Sequence, residues 1–139
     1  MKCRELQFGD WCCNEHGFPM QITNVGEDYA YATWEGNEGD PWEFDDKDDQ
    51  PKPIPLTAEI LEKNGIKKRG DNDEYAVFGW EGMKQWYVTL EDFKPQYDFW
   101  FITSSDRDLN VSGQIRYVHQ LQQVLRLAGM TDMANNFKI

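Results

Sequence analysis

The stretch SGQIRYVHQLQQVLRLAG, residues 112–129, decides how this chain is read, because it has the spacing of one long helix in an otherwise strand-rich sequence. Ser112 is placed to cap its start by accepting from the free amides of the first turn, and Gly129 suits the left-handed position just past its end. At ~100° per residue, Val124, Tyr117, Ala128, Leu121, Leu125, Val118 and Ile115 fall within an arc of roughly 180°. Arg116, His119, Gln120, Gln123 and Arg126 fall outside it. So wide a stripe suits packing across a sheet better than a narrow coiled-coil seam.

Working outward, the chain before this helix reads as two groups of strands. Residues 6–13 form a first strand with a bend or bulge at Gly9-Asp10, and 14–17 a turn. Residues 19–25 follow as a strand with Met20, Ile22 and Asn24 on one face. After the turn Gly26-Glu27-Asp28, Tyr29, Tyr31 and Thr33 alternate with Ala30, Ala32 and Trp34, giving a bulky and a small face. Residues 36–39 turn the chain again before a short strand at 42–45. Such short strands with tight links predict a small curled sheet or SH3-like barrel over residues 1–50, an arrangement that disposes of open edges.

QPKPIP (50–55) has three prolines in six residues and is an extended connector. Thr57 then caps a short helix, 58–64, with Leu56 and Leu61 at hydrophobic-staple spacing, Gly65 closing it and Ile66 folding back on Leu61. Residues 51–70 therefore read as connector plus helix. In 71–139, strands at 74–80, 85–90 and 97–103 precede the long helix, which lays its Leu121, Leu125 and Val118 ridge over that sheet. Residues 67–73, KKRGDND, read as a polar loop, as do 104–111, and 130–139 as a tail that docks or frays. The fold class is α+β.

These segments resemble a family of small, uncharacterised bacterial proteins also found in phage and prophage settings. The resemblance is carried by Leu6 and Gly9-Asp10-Trp11, by EGNEGD (35–40), and most distinctively by PIPLTAEILEKNGIKK (53–68) and IRYVHQLQ (115–122). It is weakest at 71–73 and 84–107. It implies a shared fold and a mobile-element context, and brings no activity, cofactor or catalytic residue.

Composition narrows the function classes. With 139 residues, 40% hydrophobic, and six Trp, six Tyr and eight Phe, the chain can bury a core. No apolar run approaches the ~20 residues of a membrane span, and the N-terminus has no apolar signal region. Three cysteines make no disulfide framework, which predicts a reducing, cytoplasmic setting. The net charge is −11, and 35–49 holds eight acids against Lys47 alone. Nucleic acid phosphates and anionic membranes are repelled, leaving only the small basic set Lys67, Lys68 and Arg69.

No nucleophile elbow, P-loop or dinucleotide fingerprint is present, so no catalytic residue and no cofactor are assigned. Cys12, Cys13 and His16 lack the partners and geometry of a zinc site; one thiol belongs in the core and one outside. The acids of 40–49 lack the glycine and terminal glutamate of a calcium loop and read as a solvated, partly disordered segment. His119, at a border of the helix stripe with Gln123 and Arg126, reads as hydrogen-bonded to a loop rather than as a general base. Leu127 lies on the polar arc, where it needs a cover: the tail or another subunit. Trp34 and Trp42, each followed by an acid, read as core rather than a sugar platform, and together with His119, Gln123, Arg126 and Leu127 they are the candidate binding residues. The expected function is a cytoplasmic protein-binding or accessory domain, with self-association open, binding neither nucleic acid nor membrane directly. Its alternatives are an acidic nucleic-acid mimic and a small carbohydrate-binding or hydrolytic domain.

Overall fold

Short alternating runs joined by tight turns make the first part of the chain a meander. The structure, a computed structural model, describes residues 1–37, 39–68, 74–77, 86–93, 97–104 and 115–139. It divides into two units: Met1–Pro55 with Tyr117–Phe137, and Leu56–Arg116 with Lys138–Ile139. Each contains an antiparallel four-stranded sheet, so the α+β class stands.

In the first unit, β1 (Trp11–Cys13), β2 (Pro19–Val25), β3 (Tyr29–Thr33) and β4 (Trp42–Asp45) lie in the order β1-β2-β3-β4. Alternation sends Cys12, Met20, Ile22, Ala30, Ala32 and Phe44 inward, where all are buried. Ala30 pairs with Phe44 and Ala32 with Trp42, so the small face of β3 makes room for the large rings of β4. The face shared by Met20 and Ile22 does not continue to Asn24. A bulge between Ile22 and Asn24 shifts the register by one residue, leaving Asn24 exposed and Val25 against the core.

The strand expected at 6–13 is shorter. A 3-10 turn, Cys3–Glu5, comes first. The Asp10 N–H then donates to the Gln7 carbonyl at 3.0 Å, closing a turn with Phe8 and Gly9 at its corners. Gly9 has φ +84°, which this corner requires. Gly9 N–H donates to Ile22 O and Ile22 N–H to Asp10 O, each at 2.8 Å, so pairing with β2 begins at the anticipated bend.

In the second unit, α1 (Ala58–Lys63) forms as its caps dictate. Thr57 Oγ1 accepts from Ile60 N–H at 3.2 Å, Gly65 N–H donates to Glu62 O, and Ile66 N–H donates to Leu61 O, burying Leu61 and Ile66. The sheet runs β5 (Lys67–Lys68), β6 (Glu74–Val77), β7 (Trp86–Phe93) and β8 (Tyr97–Ser104), antiparallel throughout. Lys67 and Lys68 thus pair with Ala76 and Tyr75 instead of lying in a loop. β7 extends past residue 90 and stays in register with β8 from Trp86↔Ser104 to Phe93↔Tyr97. Expected strand residues 78–80 and 85, Arg69 and the loop 105–111 lie outside the described residues.

The largest difference is the helix. Ser112 lies outside the described residues, and the helix α2 spans Val118–Leu127, ten residues, with Tyr117 at its N-cap. Residues 115–117 are extended. Tyr117 bridges Pro55, Val118 N–H donates to Ile54 O at 2.9 Å, and Leu56 N–H donates to Arg116 O at 2.9 Å. The proline-rich connector, short of N–H donors itself, takes this segment as a partner strand. The helix end is as its sequence requires. Gly129 N–H donates to Arg126 O, Met130 N–H donates to Leu125 O, and Gly129 has φ +84°. A short helix α3 (Thr131–Asn135) follows, and Ala134 and Phe137 are buried, so the tail docks. α2 and α3 group with the first unit, where α2 contacts β1.

Candidate functional site

The polar face of α2 is where distant residues meet. At ~100° per residue, Gln122 falls between Val118 and Ile115, inside the arc otherwise made of apolar side chains. It is fully buried. Its Nε2 donates to Gly9 O at 2.9 Å and Ala134 O at 2.8 Å, and its Oε1 accepts from Trp11 N–H at 2.9 Å. One side chain thereby ties α2 to β1, to the Gly9 turn and to α3.

Beside it stands Asp10, 0% exposed. Arg126 Nη1 reaches Asp10 Oδ1 at 2.5 Å, while Oδ2 accepts from Gln123 Nε2 at 2.7 Å and from Gln7 N–H at 2.8 Å. Gln123 Nε2 also donates to Glu5 O at 2.8 Å, and Arg126 Nε donates to Asn135 Oδ1 at 3.0 Å. Each carboxylate oxygen is held by a donor, so the buried charge is compensated. Arg126 Nη2 is buried without a hydrogen-bond partner. Chemically, this cluster locks three segments together. It leaves Asp10 no oxygen aimed at a substrate.

His119 is 5% exposed, and its ring stacks on Tyr117 with centroids 5.9 Å apart and planes 9° apart. Its Nδ1 is buried without a hydrogen-bond partner, so the loop hydrogen bond expected of it is not made there. Burial pushes its pKa below the usual range, opposed by Asp10 and Glu5 and assisted by the Met1 amino group. A neutral imidazole in a dry site is a core group.

The other predicted residues lie apart from this cluster. Leu127 is 89% exposed, without a cover among the described residues. Trp34 and Trp42 pack at the rim of the first unit's core, their rings 6.5 Å apart, with the half-exposed Phe18 edge-on to Trp34 at 5.3 Å. Trp42 Nε1 donates to Asp49 Oδ2 at 2.9 Å.

The acids at the end of β4 and just after it are held by hydrogen bonds rather than forming the partly disordered segment expected of them. Asp45 Oδ1 accepts from the N–H groups of Lys47 and Asp48, Asp45 N–H donates to Asp49 O, and Asp46 Oδ1 accepts from Cys3 N–H at 2.7 Å. The Asp48 amide lowers the Asp45 pKa most, and the Cys3 amide that of Asp46.

Of the cysteines, Cys3 and Cys12 are buried and Cys13 half-buried, its Sγ donating to Lys52 O at 3.6 Å. Burial raises all three thiols, Cys3 to about 12 with help from Asp46. His16 is exposed, 3.4 Å from Glu15. Among the described residues no three His, Cys, Asp or Glu side chains are grouped to hold a metal ion, and no helix is long and apolar enough to cross a membrane.

Asp10, Gln122 and Asn135 are the site residues that the sequence reading missed. Gln122 carried a signal, a polar side chain inside an apolar arc. Asp10 read only as a bend, and Asn135 as tail.

Fold and cluster together define a class: an α+β protein whose first unit is closed by a buried polar lock. Comparison with protein-family models, with curated protein sequences and with solved structures returns no match.

Proposed function

We propose that the protein is a non-enzymatic binding domain acting in the cytoplasm through a protein partner. The observation that carries this reading is Leu127, an 89% exposed leucine on α2, a helix that is otherwise capped and packed. An apolar side chain held on a rigid element offers a partner area to bury at little ordering cost. The polar residues that converge, Asp10, Gln123 and Arg126, are taken up by one another, which favours a scaffold over a reacting centre. An SH3-like character of the first unit is supported by two bridges that carry the chain from one sheet edge to the other, Asp45 with Asp49 and Cys13 with Lys52. The mobile-element context that the resemblance of residues 53–68 and 115–122 to small bacterial and phage proteins implies is compatible with such a partner-binding role.

The test is photocrosslinking from position 127 in producing cells. A discrete protein adduct from 127, absent when the photoreactive residue stands at exposed Thr131, supports the reading. A pattern identical at both positions removes it. Self-association is read from light scattering on the same protein.

A second reading, the acidic nucleic-acid mimic, is favoured by the hydrogen bonds that fix Asp45, Asp46 and Asp49. It predicts binding to a basic, DNA-binding protein that weakens steeply with salt. Salt-insensitive binding removes it.

A further inference from the structure

Away from the Asp10 carboxylate, the first unit has a cavity of about 190 Å³ lined by Phe8, Gly9, Gln21, Ile22, Thr23 and Asn135. Drug-sized pockets run to roughly 300–1,000 Å³, so this one suits a single small group. Its walls include two carboxamides, and each has one end committed. Gln21 Nε2 donates to Gly9 O and to Asn135 O, both at 2.9 Å, which uses both hydrogens and leaves Oε1. Asn135 Oδ1 accepts from Arg126 Nε at 3.0 Å, which sets the orientation of that amide and leaves its NH2. The Thr23 hydroxyl is engaged with Tyr31 O at 3.3 Å. Phe8, at the corner of the Gln7–Asp10 turn and 64% exposed, adds an aromatic ring, and Ile22 an apolar wall.

One acceptor, one donor and a ring, with no charge among the six lining residues, define the complement. We propose that this cavity is a binding site for a carboxamide group, which accepts from Asn135 NH2, donates to Gln21 Oε1 and lays its flank on Phe8. A carboxylate would set an oxygen lone pair against Gln21 Oε1, in a chain that already carries −11. An ammonium would set its hydrogens against the Asn135 NH2. The group belongs either to an Asn or Gln side chain of a protein partner or to a free small amide. The inference goes beyond the protein-binding reading and does not depend on it.

The experiment is an NMR titration of the whole isotope-labelled protein, following the Gln21 and Asn135 side-chain amides. The probes are N-acetylglutamine methylamide, nicotinamide and, as the isosteric acid, N-acetylglutamate methylamide. An amide probe should give saturable shifts with Kd on the order of 10 mM, and the acid should bind at least about tenfold more weakly. Binding of the capped glutamine assigns the site to a partner's side chain, and binding of nicotinamide alone assigns it to a free amide. Asn135→Asp keeps an acceptor for Arg126 and removes the donor, so amide binding should fall about tenfold or more while the backbone spectrum is retained. Should that variant fail to fold, Phe8→Ala, at an exposed corner, must weaken binding in its place. Absence of saturable shifts at either amide up to ~100 mM, or equal binding of the acid, overturns the proposal.

Discussion

Arg126 reaches Asp10 across 116 positions of sequence and meets its carboxylate at 2.5 Å, with the carboxylate side chain fully buried and the guanidinium side chain 13% exposed. Removing one member strands the other in a dry site. Asp10→Ala should therefore cost about 3–5 kcal/mol of unfolding free energy, read from urea titration. A double-mutant cycle with Arg126→Met should recover part of that loss, because the stranded charge goes too. Additive losses would show that the two residues act separately.

Gln122 satisfies backbone groups of Trp11, Gly9 and Ala134 at once. Gln122→Leu fills similar volume but leaves those groups unpaired, at roughly 1–3 kcal/mol for each one left dry. Hydrogen exchange should show the Trp11 amide losing protection in this variant. Unchanged protection would mean that the amide contributes no more than volume.

Two leucines on one helix should behave oppositely. Leu121 is fully buried and Leu127 is 89% exposed. Leu121→Ala should cost about 2–5 kcal/mol, and Leu127→Ala less than about 0.5 kcal/mol. Thermal unfolding of the two variants separates them. A large loss at Leu127 would place a cover over it.

Acid should destabilise the first unit in two stages. Because burial lowers the pKa of His119 in the folded state, the unfolded chain takes up that proton first as pH falls. The stability of neutral His119 is therefore intact well above about 6.5 and drains away as pH drops below that value towards the folded pKa. The carboxyls of Asp45 and Asp46 are lowered as well, and their contribution, present above the unfolded value of 3.8, is lost lower still. His119→Phe should flatten the upper stage and leave the lower one. Urea midpoints across the acid range measure both. An upper stage that survives the substitution would have to come from another group.

Thiol labelling reports the same packing. Cys3 and Cys12 are buried, and all three thiol pKa values are raised. Near neutral pH the folded protein should react slowly at each, and all three should react together on unfolding. Fast labelling of Cys12 without unfolding would contradict the burial of β1.

Local chemistry was enough for part of this protein. β2 and β4 follow from alternation between turn residues, and α1 from Thr57, Leu61 and Ile66, because the atoms that decide them lie within a few positions of one another. The stop of α2 at Gly129 is local in the same way. Its start is not. The sequence period runs back through Ile115 and Tyr117, yet Tyr117 bridges Pro55, the Ile54 carbonyl accepts from Val118 N–H and the Leu56 N–H donates to Arg116 O, so pairing with the connector replaces helix there. The Asn24 face failed for a related reason, since a single bulge reverses the parity of a strand. The polar lock was the least legible feature. Asp10, Gln122 and Asn135 are ordinary residues until folding sets Asp10 and Asn135 against Arg126 and Gln122 against the backbones of Gly9, Trp11 and Ala134. Propensity and periodicity are properties of neighbours in sequence and settle which elements form. A buried charge and its partners are a property of neighbours in space, and only the tertiary structure decides them.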